Sequence, residues 1–227
     1  QASTRIEEIR EGAPQAALWF QLYPWRDREE TFRLMDRVRD LGIDTLLVTV
    51  DTPGSPKKVH NLRNGFSIPL RPNLKLGLDL MRHPGWTLGV MGRYWMTRGL
   101  PSFDNYPGEV RTAITRSVSD PRFALETDFR ADLLKAIRNR WPGRMIIKGI
   151  QHPEDAETAL RLGADGVVIS SHGGRNLDSL AVPLSVLPEI RAAVGGRLLI
   201  LASTGPSVAC RSGCGSMPGA DAAVAGR

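Results

Sequence analysis

Residues 162–175 read Leu162-Gly163-Ala164-Asp165-Gly166-Val167-Val168-Ile169-Ser170-Ser171-His172-Gly173-Gly174-Arg175. A glycine closes a helix, an aspartate marks a short loop, and an apolar run follows that suits a strand buried on both faces. The run stops abruptly in hydroxyls, a histidine, two glycines and an arginine. Such an ending sets polar chemistry at the tip of a rigid strand, with Gly-Gly allowing a sharp turn. Read alone, it is equally a strand leading into a polar loop.

The rest of the chain repeats the pattern. Leu41-Gly42-Ile43-Asp44-Thr45-Leu46-Leu47-Val48-Thr49-Val50-Asp51 aligns with residues 162–172, and Gly219-Ala220-Asp221-Ala222-Ala223-Val224-Ala225-Gly226 is a third copy. Repeated helix–Gly–Asp–strand units imply parallel strands, either in a (β/α) barrel or in an open doubly wound sheet. Six strands are expected, near 17–22, 46–50, 145–149, 166–170, 198–201 and 222–225. Between the first two, Asp27 caps a helix with Glu30 at capping-box spacing, Leu34, Met35, Val38 and Leu41 recur at helical period, and Gly42 stops it. Further helices are expected from about Asp128 and over Pro153–Leu162, the latter with proline in its first turn.

Polar residues fall at or just past the ends of these strands: Gln21 and Tyr23, Thr49 and Asp51, Lys148, Ser170 and His172, Gly226 and Arg227. In a barrel those ends converge on one face, whereas an open sheet builds its site at a single switch point. Chemistry on so many strand ends favours the barrel. Closing a barrel takes eight strands, so six imply an incomplete TIM (β/α)8 barrel, lacking its first two strands and its final helix. The expected organisation is one partial barrel domain over 1–227, interrupted by an excursion at about 54–118.

That excursion is rich in proline, glycine and basic residues. Leu76 to Met96 mixes Leu, Met and Trp with Arg82, His83 and Arg93. It reads either as an insertion packing its apolar side on the barrel or as a peripheral membrane or partner-binding patch, since basic amphipathic segments carrying aromatics lie in lipid interfaces.

Composition narrows the classes further. The 227 residues carry 30 Lys and Arg against 24 Asp and Glu, a net charge of +6, and the isoelectric point is about 9.8. The basic residues are scattered, and neither zinc-ligand spacing nor an aromatic RNA-binding motif is present, so no nucleic-acid partner is expected. No run reaches the ~18 apolar residues of a membrane span. The opening QASTRIEEIREG is charged and begins without Met, so it reads neither as a signal peptide nor as a native start. Cys210 and Cys214 share one segment and form no disulfide framework, which makes a reducing, cytoplasmic setting the default.

With these residues placed, the chain closely resembles the FMN-dependent L-2-hydroxy acid dehydrogenases and oxidases, the family of glycolate oxidase, flavin-type L-lactate dehydrogenase and mandelate dehydrogenase. The matching strings are WFQLY, LLVTVDTP, LRNGFSIP, IIKGI, HPEDAETALRLGADGVVISSHGGRNLD and GADAAVAGR. The resemblance implies a TIM barrel that uses FMN to oxidise a small L-2-hydroxy acid, such as lactate, glycolate or mandelate, to the 2-oxo acid. It implies His172 as the base that takes a proton from the substrate, with Asp51 holding the imidazole and stabilising its protonated form. Arg175 would grip the substrate carboxylate with its guanidinium fork, and Tyr23 would hydrogen-bond the substrate. Lys148 would stand by the flavin N1–O2 edge and stabilise the anionic reduced ring. Gln21, Thr49 and Ser170 would contact the isoalloxazine, and Gly226 and Arg227 the FMN phosphate. A quinone, a cytochrome or oxygen would take the electrons. The family also implies a homo-oligomer, a tetramer, and the basic aromatic middle segment a peripheral position on the inner face of the cell membrane. His60, His83 and His152 match no family motif and read as structural or surface residues.

The chain also departs from the family. A second carboxylate-binding arginine, expected after TVDTP, is replaced by GSPKKVHNLRN, so Lys58 (or Lys57) stands near the substrate instead; a lysine keeps the charge and loses the fork. Where the family carries an Asp-Ser/Gly-Gly-x-Arg-Arg-Gly string for FMN ribose and phosphate, residues 202–218 read ASTGPSVACRSGCGSMP, which has no helical period and resembles a local out-of-frame stretch; Arg211 is a weak substitute there. Two alternatives stay open at this level: a non-catalytic or flavin-poor piece of the family, and another FMN barrel such as an isopentenyl diphosphate isomerase-like or IMP dehydrogenase-like protein.

Overall fold

The structure is a computed structural model of the protein and describes residues 4–54, 61, 63–116, 118, 120–177, 179–203 and 221–223. Its strands are β1 (Trp19–Leu22), β2 (Thr45–Thr49), β3 (Arg144–Ile150), β4 (Gly166–Ser170), β5 (Leu199–Ser203) and β6 (Ala222–Ala223). The longer helices are α1 (Ile6–Gly12), α2 (Arg28–Asp40), α3 (Leu74–Arg82), α4 (Arg93–Arg98), α5 (Ala131–Arg140), α6 (Pro153–Arg161) and α7 (Pro183–Val194). The chain divides into two compact units, Gln1–Ala16 with Lys58–Phe123, and Ala17–Lys57 with Ala124–Arg227. The excursion therefore condenses with the N-terminal segment rather than with the strands. Helices α1 and α7 have no counterpart in the expectations from sequence.

All six strands belong to the second unit and form one parallel sheet in the order β1-β2-β3-β4-β5-β6. Each strand pairs with its successor in the chain and the order never reverses. A doubly wound sheet has a reversal; a barrel does not. The sheet is thus a partial TIM barrel, with every strand C-terminus on the same edge.

Burial on both faces explains why these strands are almost continuously apolar. Ile146, Val168 and Leu201 are buried together with Leu47 packed against them. Leu46, Val48, Met145, Ile147, Val167, Ile169 and Ile200 complete the sheet core, none more than 1% exposed. Helix α2 buries Leu34, Met35 and Val38, as its period predicts, and Asp27 Oδ1 accepts from Glu30 N at 3.1 Å. The reciprocal half of the expected capping box is replaced: Glu30 pairs with Arg33 one turn on. Helix α5 starts at Ala131, three residues later than expected, and α6 has His152 as its cap, Nδ1 accepting from Glu154 N at 3.3 Å.

The repeated aspartates are explained by the sheet. Asp165 Oδ2 accepts from Met145 N at 2.8 Å and pairs with Arg138 at 3.0 Å; Asp221 Oδ2 accepts from Ile200 N at 2.8 Å and pairs with Arg191, also at 2.8 Å. Each carboxylate ties a loop to the neighbouring strand and to an arginine of the helix before that strand. Asp44 does the corresponding task with its backbone, its carbonyl accepting from Arg144 N at 2.8 Å and from the buried Trp141 Nε1 at 3.2 Å.

In the first unit, α3, a turn over Pro84–Trp86, a π-helix over Thr87–Gly92 and α4 follow in direct succession, and none of their residues is buried. The apolar side of this run is therefore not packed into a core. A small core does form around Tyr106 and Phe123, whose ring centroids are 5.7 Å apart. No helix among the described residues is long and apolar enough to cross a membrane.

Candidate active site

The C-terminal edge of the sheet gathers the polar residues that the strand ends present. Asp51 follows β2, Lys148 lies in β3, and His172 follows β4. Asp51 Oδ1 is 2.9 Å from His172 Nδ1, and Asp51 Oδ2 is 3.3 Å from Lys148 Nζ. The Asp51 and Lys148 side chains are 7% and 13% exposed, so the contacts lie in a weakly screened setting. A carboxylate only accepts, so the proton on Nδ1 is the one donated to Asp51. That tautomer leaves His172 Nε2 with a free lone pair, the form a base requires. Lys148 Nζ is also 3.4 Å from His172 Nδ1. Because Nδ1 carries a proton directed at Asp51, the lysine's partner in the cluster is the carboxylate.

Backbone conformation sets this geometry. His172, Gly173 and Gly174 all have positive φ, at 54°, 64° and 68°. Among the described residues, His172 is the only non-glycine in that region, which is costly for a side chain with a Cβ and characteristic of functional turns. Ser170 Oγ accepts from His172 N at 3.1 Å and pins the turn. Gly149 has φ 110° at the irregularity between Lys148 and Ile150; a Cβ there would meet the Asp51 Cβ at 2.4 Å. The missing side chain is what lets Asp51 sit over β3.

Beside this cluster, Gln21 Nε2 donates to Thr49 Oγ1 at 2.8 Å and to the Tyr23 hydroxyl at 3.1 Å. Burial raises the Tyr23 pKa above its ordinary 10.0 and the Asp51 charge pushes it further, opposed by the Thr49 hydrogen bond and the Arg175 charge. The phenol thus remains a neutral donor throughout the neutral range. Arg175 is exposed at the rim.

The structure therefore brings together Gln21, Tyr23, Thr49, Asp51, Lys148, Ser170 and His172, with Arg175 within electrostatic reach of Tyr23. Lys58, Gly226 and Arg227 lie outside the described residues, as do His60 and Arg211. Two contributors escaped the sequence reading. Asn176 donates its amide to the Asp51 carbonyl, although it stands inside the quoted SHGGRNLD string. Gly149 was legible in principle, since a lone glycine in an apolar strand marks a bulge or a close approach. Among the described residues no group of three His, Cys, Asp or Glu side chains is placed to hold a metal ion.

A family model described as FMN-dependent dehydrogenase matches residues 1–213. An L-lactate dehydrogenase of Xanthomonas campestris pv. campestris (strain B100) is 36% identical over 230 residues, covering 98% of this chain and 56% of its own. A Mycobacterium tuberculosis relative is 39% identical over 204 residues, covering 90% and 47%. Among solved structures, the monotopic membrane protein (S)-mandelate dehydrogenase superposes with a TM-score of 0.74 at 29% identity, covering 86% of this chain and 51% of that one. The chain spans about half the length of the curated relatives it matches. A partial barrel with its polar residues on the strand ends, and a family match over all but the last stretch of sequence, lead to one assignment: the chain belongs to the FMN-dependent dehydrogenase family.

Proposed function

We propose that the protein oxidises a small L-2-hydroxy acid to the 2-oxo acid with FMN, and that His172 is the base. One observation carries this reading: at the strand ends Asp51 Oδ1, 2.9 Å from His172 Nδ1, orients and charge-stabilises an imidazole whose Nε2 is left free. The relatives support the substrate class, being named for L-lactate and mandelate.

The residues present suit a flavin ring. Gln21 contributes an amide, Thr49 and Ser170 hydroxyls, and Lys148 an ammonium with donors beyond the one directed at Asp51; these adjacent strand ends match a ring bordered by carbonyls and ring nitrogens. FMN, when bound, would supply the acceptor for the two electrons and for the second proton that leave the substrate. Everything else falls to the chain. His172 Nε2 takes a substrate proton, and Asp51 holds the resulting imidazolium through Nδ1. Tyr23 donates from its neutral phenol to a substrate oxygen. Arg175 would bind the carboxylate, with Lys58 as a second cation, and Gly226 and Arg227 would hold the FMN phosphate. Lys148 would hold the flavin ring beside a positive charge that favours its reduction.

The final electron acceptor would be a quinone, a cytochrome or oxygen. The exposed apolar run 74–98 and the membrane-protein neighbour favour a dehydrogenase lying peripherally on the inner face of the cell membrane, assembled as a homo-oligomer on the pattern of the family. The test is colour. Purified protein should show flavin absorbance that bleaches anaerobically on adding L-lactate, glycolate or L-mandelate. A preparation that takes up no FMN would overturn the reading in favour of a non-catalytic relative, and bound flavin untouched by all three acids would point to another FMN-barrel chemistry.

A further inference from the structure

The loop after β4 carries two of the groups that the proposed reaction uses, His172 and Arg175, and local conformation alone does not fix it. His172, Gly173 and Gly174 take φ of 54°, 64° and 68°, a region where a residue with a Cβ persists only if its surroundings hold it there. Within the loop, Gly174 N donates to the Ser171 carbonyl at 2.9 Å and Arg175 N to the His172 carbonyl at 3.3 Å, while Ser170 Oγ accepts from His172 N at 3.1 Å. At the far end Gln151 Nε2, just past β3, donates to the Ala181 carbonyl at 3.0 Å. None of these four contacts reaches the end of β2, from which Asp51 must meet the imidazole.

Asn176 supplies that connection. Its Nδ2 donates to the backbone carbonyl of Asp51. A carbonyl only accepts, so the NH2 end of the amide faces it, and the partner settles which way the side chain is turned. Asp51 is thereby bound twice by one loop: its carboxylate meets His172 Nδ1 at 2.9 Å, and its carbonyl is held by Asn176 further along. Two attachment points fix both the separation and the relative rotation of the aspartate and the imidazole. Arg175 is the chain neighbour of Asn176, so the same tie fixes the cation assigned to the substrate carboxylate.

The other half of the amide works against stability. Asn176 Oδ1 is buried and has no hydrogen-bond partner among the described residues. The Thr52 hydroxyl, in the residue after Asp51 and only 8% exposed, is in the same state. Buried polar atoms are nearly always paired, and an apolar side chain of similar size would avoid leaving one unpaired. The N–H that Asn176 directs at Asp51 accounts for an amide at this position; packing does not.

We infer that Asn176 is a positioning residue for the Asp51–His172 pair, and that its effect on the rate runs through Asp51. The inference rests on the reading of His172 as the base of a hydroxy acid oxidation.

Asn176→Leu tests it, because leucine is close to asparagine in size and removes both the N–H and the unpaired oxygen. The melting temperature of the flavin-bound protein should equal the wild type's or exceed it. Flavin reduction at a saturating concentration of whichever acid bleaches the wild type should nonetheless slow by about 10- to 100-fold, the scale on which small misplacements act. A merely structural residue would lower both together. In an Asp51→Asn background the same substitution should slow reduction by less than about twofold, because the group it positions is already lost. Hydrogen exchange gives a readout independent of turnover: the amides of His172, Gly174 and Arg175 should exchange severalfold faster in the variant, with the strands unchanged. Asn176→Ala, which needs no extra room, repeats each measurement if leucine prevents folding, with the same rate and exchange changes expected. An unchanged reduction rate, an equal loss in both backgrounds, a loss confined to substrate affinity, or unchanged exchange at 172–175 would each overturn the assignment. A wild type whose bound flavin is reduced by none of L-lactate, glycolate and L-mandelate sinks the enzymatic reading alone, and exchange then decides whether Asn176 holds the loop to Asp51.

Discussion

Asp51 Oδ1 and His172 Nδ1 stand 2.9 Å apart across 121 residues of chain, joined by the adjacency of strand ends rather than by sequence. The carboxylate is nearly buried, it also receives Lys148, and its own carbonyl is held by Asn176. The ends of three strands, β2, β3 and β4, meet at this one residue, so changes there should be felt in function before they are felt in folding.

Replacing Asp51 with Asn keeps the shape and removes the charge that directs the Nδ1 proton. The amide can donate to Nδ1 and shift the proton to Nε2, where the base is needed. The rate of flavin bleaching by substrate should fall by about 100-fold or more, with flavin still bound. Stopped-flow reduction at saturating substrate reads this directly; a loss confined to substrate affinity would count against the orienting role.

Gly149→Ala puts a Cβ 2.4 Å from the Asp51 Cβ on a backbone with φ 110°. The strain and the displaced carboxylate should cost about 1–3 kcal/mol in urea unfolding. Flavin bleaching should slow as in Asp51→Asn. Gly12, which has open space around it and no positive φ, is the control, and its alanine variant should leave both measurements unchanged.

The Tyr23 phenol titrates above its ordinary 10.0, chiefly because burial disfavours the phenolate. A raised folded-state value means that the folded protein holds the proton more tightly than the unfolded chain. The associated stability is therefore complete below pH 10 and is lost as pH climbs through the folded value. The melting temperature of the wild type should fall relative to Tyr23→Phe between pH 9 and pH 11, while the two should run parallel from pH 6 to 8.

Asp221 behaves with the opposite sign. The Ile200 N–H, and then the Arg191 guanidinium, hold its carboxyl below the ordinary 3.8, against a weaker effect of burial. Its contribution is present above pH 3.8 and disappears as pH falls through the folded value. The side chain is 43% exposed, so solvent screening keeps the effect below about 1 kcal/mol, or roughly 2–4 °C in melting temperature. The difference between wild type and Asp221→Asn should be visible at pH 7 and should narrow as pH falls below 3.8.

Much of the fold was readable from short-range chemistry. The Gly–Asp–apolar repeat located β2, β4 and β6 because a parallel strand buried on both faces leaves a short apolar run, here bounded by Gly and Asp turn residues. Asp27 was readable as a cap because its side chain serves an amide three residues away. What those aspartates do was less legible: Asp165 and Asp221 look like loop residues, yet their carboxylates bond to Met145 N and Ile200 N on neighbouring strands. Glu30 was expected to close the capping box and instead met Arg33, which lies one turn away and carries the opposite charge. The middle segment left two readings open, because periodicity shows that a helix has an apolar face and says nothing of what covers it.

The sequence by itself determined a barrel of parallel strands and the residue types at their C-terminal ends, since burial pattern and strand termination are local properties of the chain. Only the tertiary structure decided how those ends meet. That His172 takes a positive φ, that Gly149 must lack a Cβ, and that Asn176 supports Asp51 all depend on distances between strands, which are set when the sheet forms. Asp51 and His172 occupy equivalent places in a repeat, but two equivalent positions become one hydrogen-bonded pair only where the sheet carries their strand ends, on either side of Lys148, to the same edge.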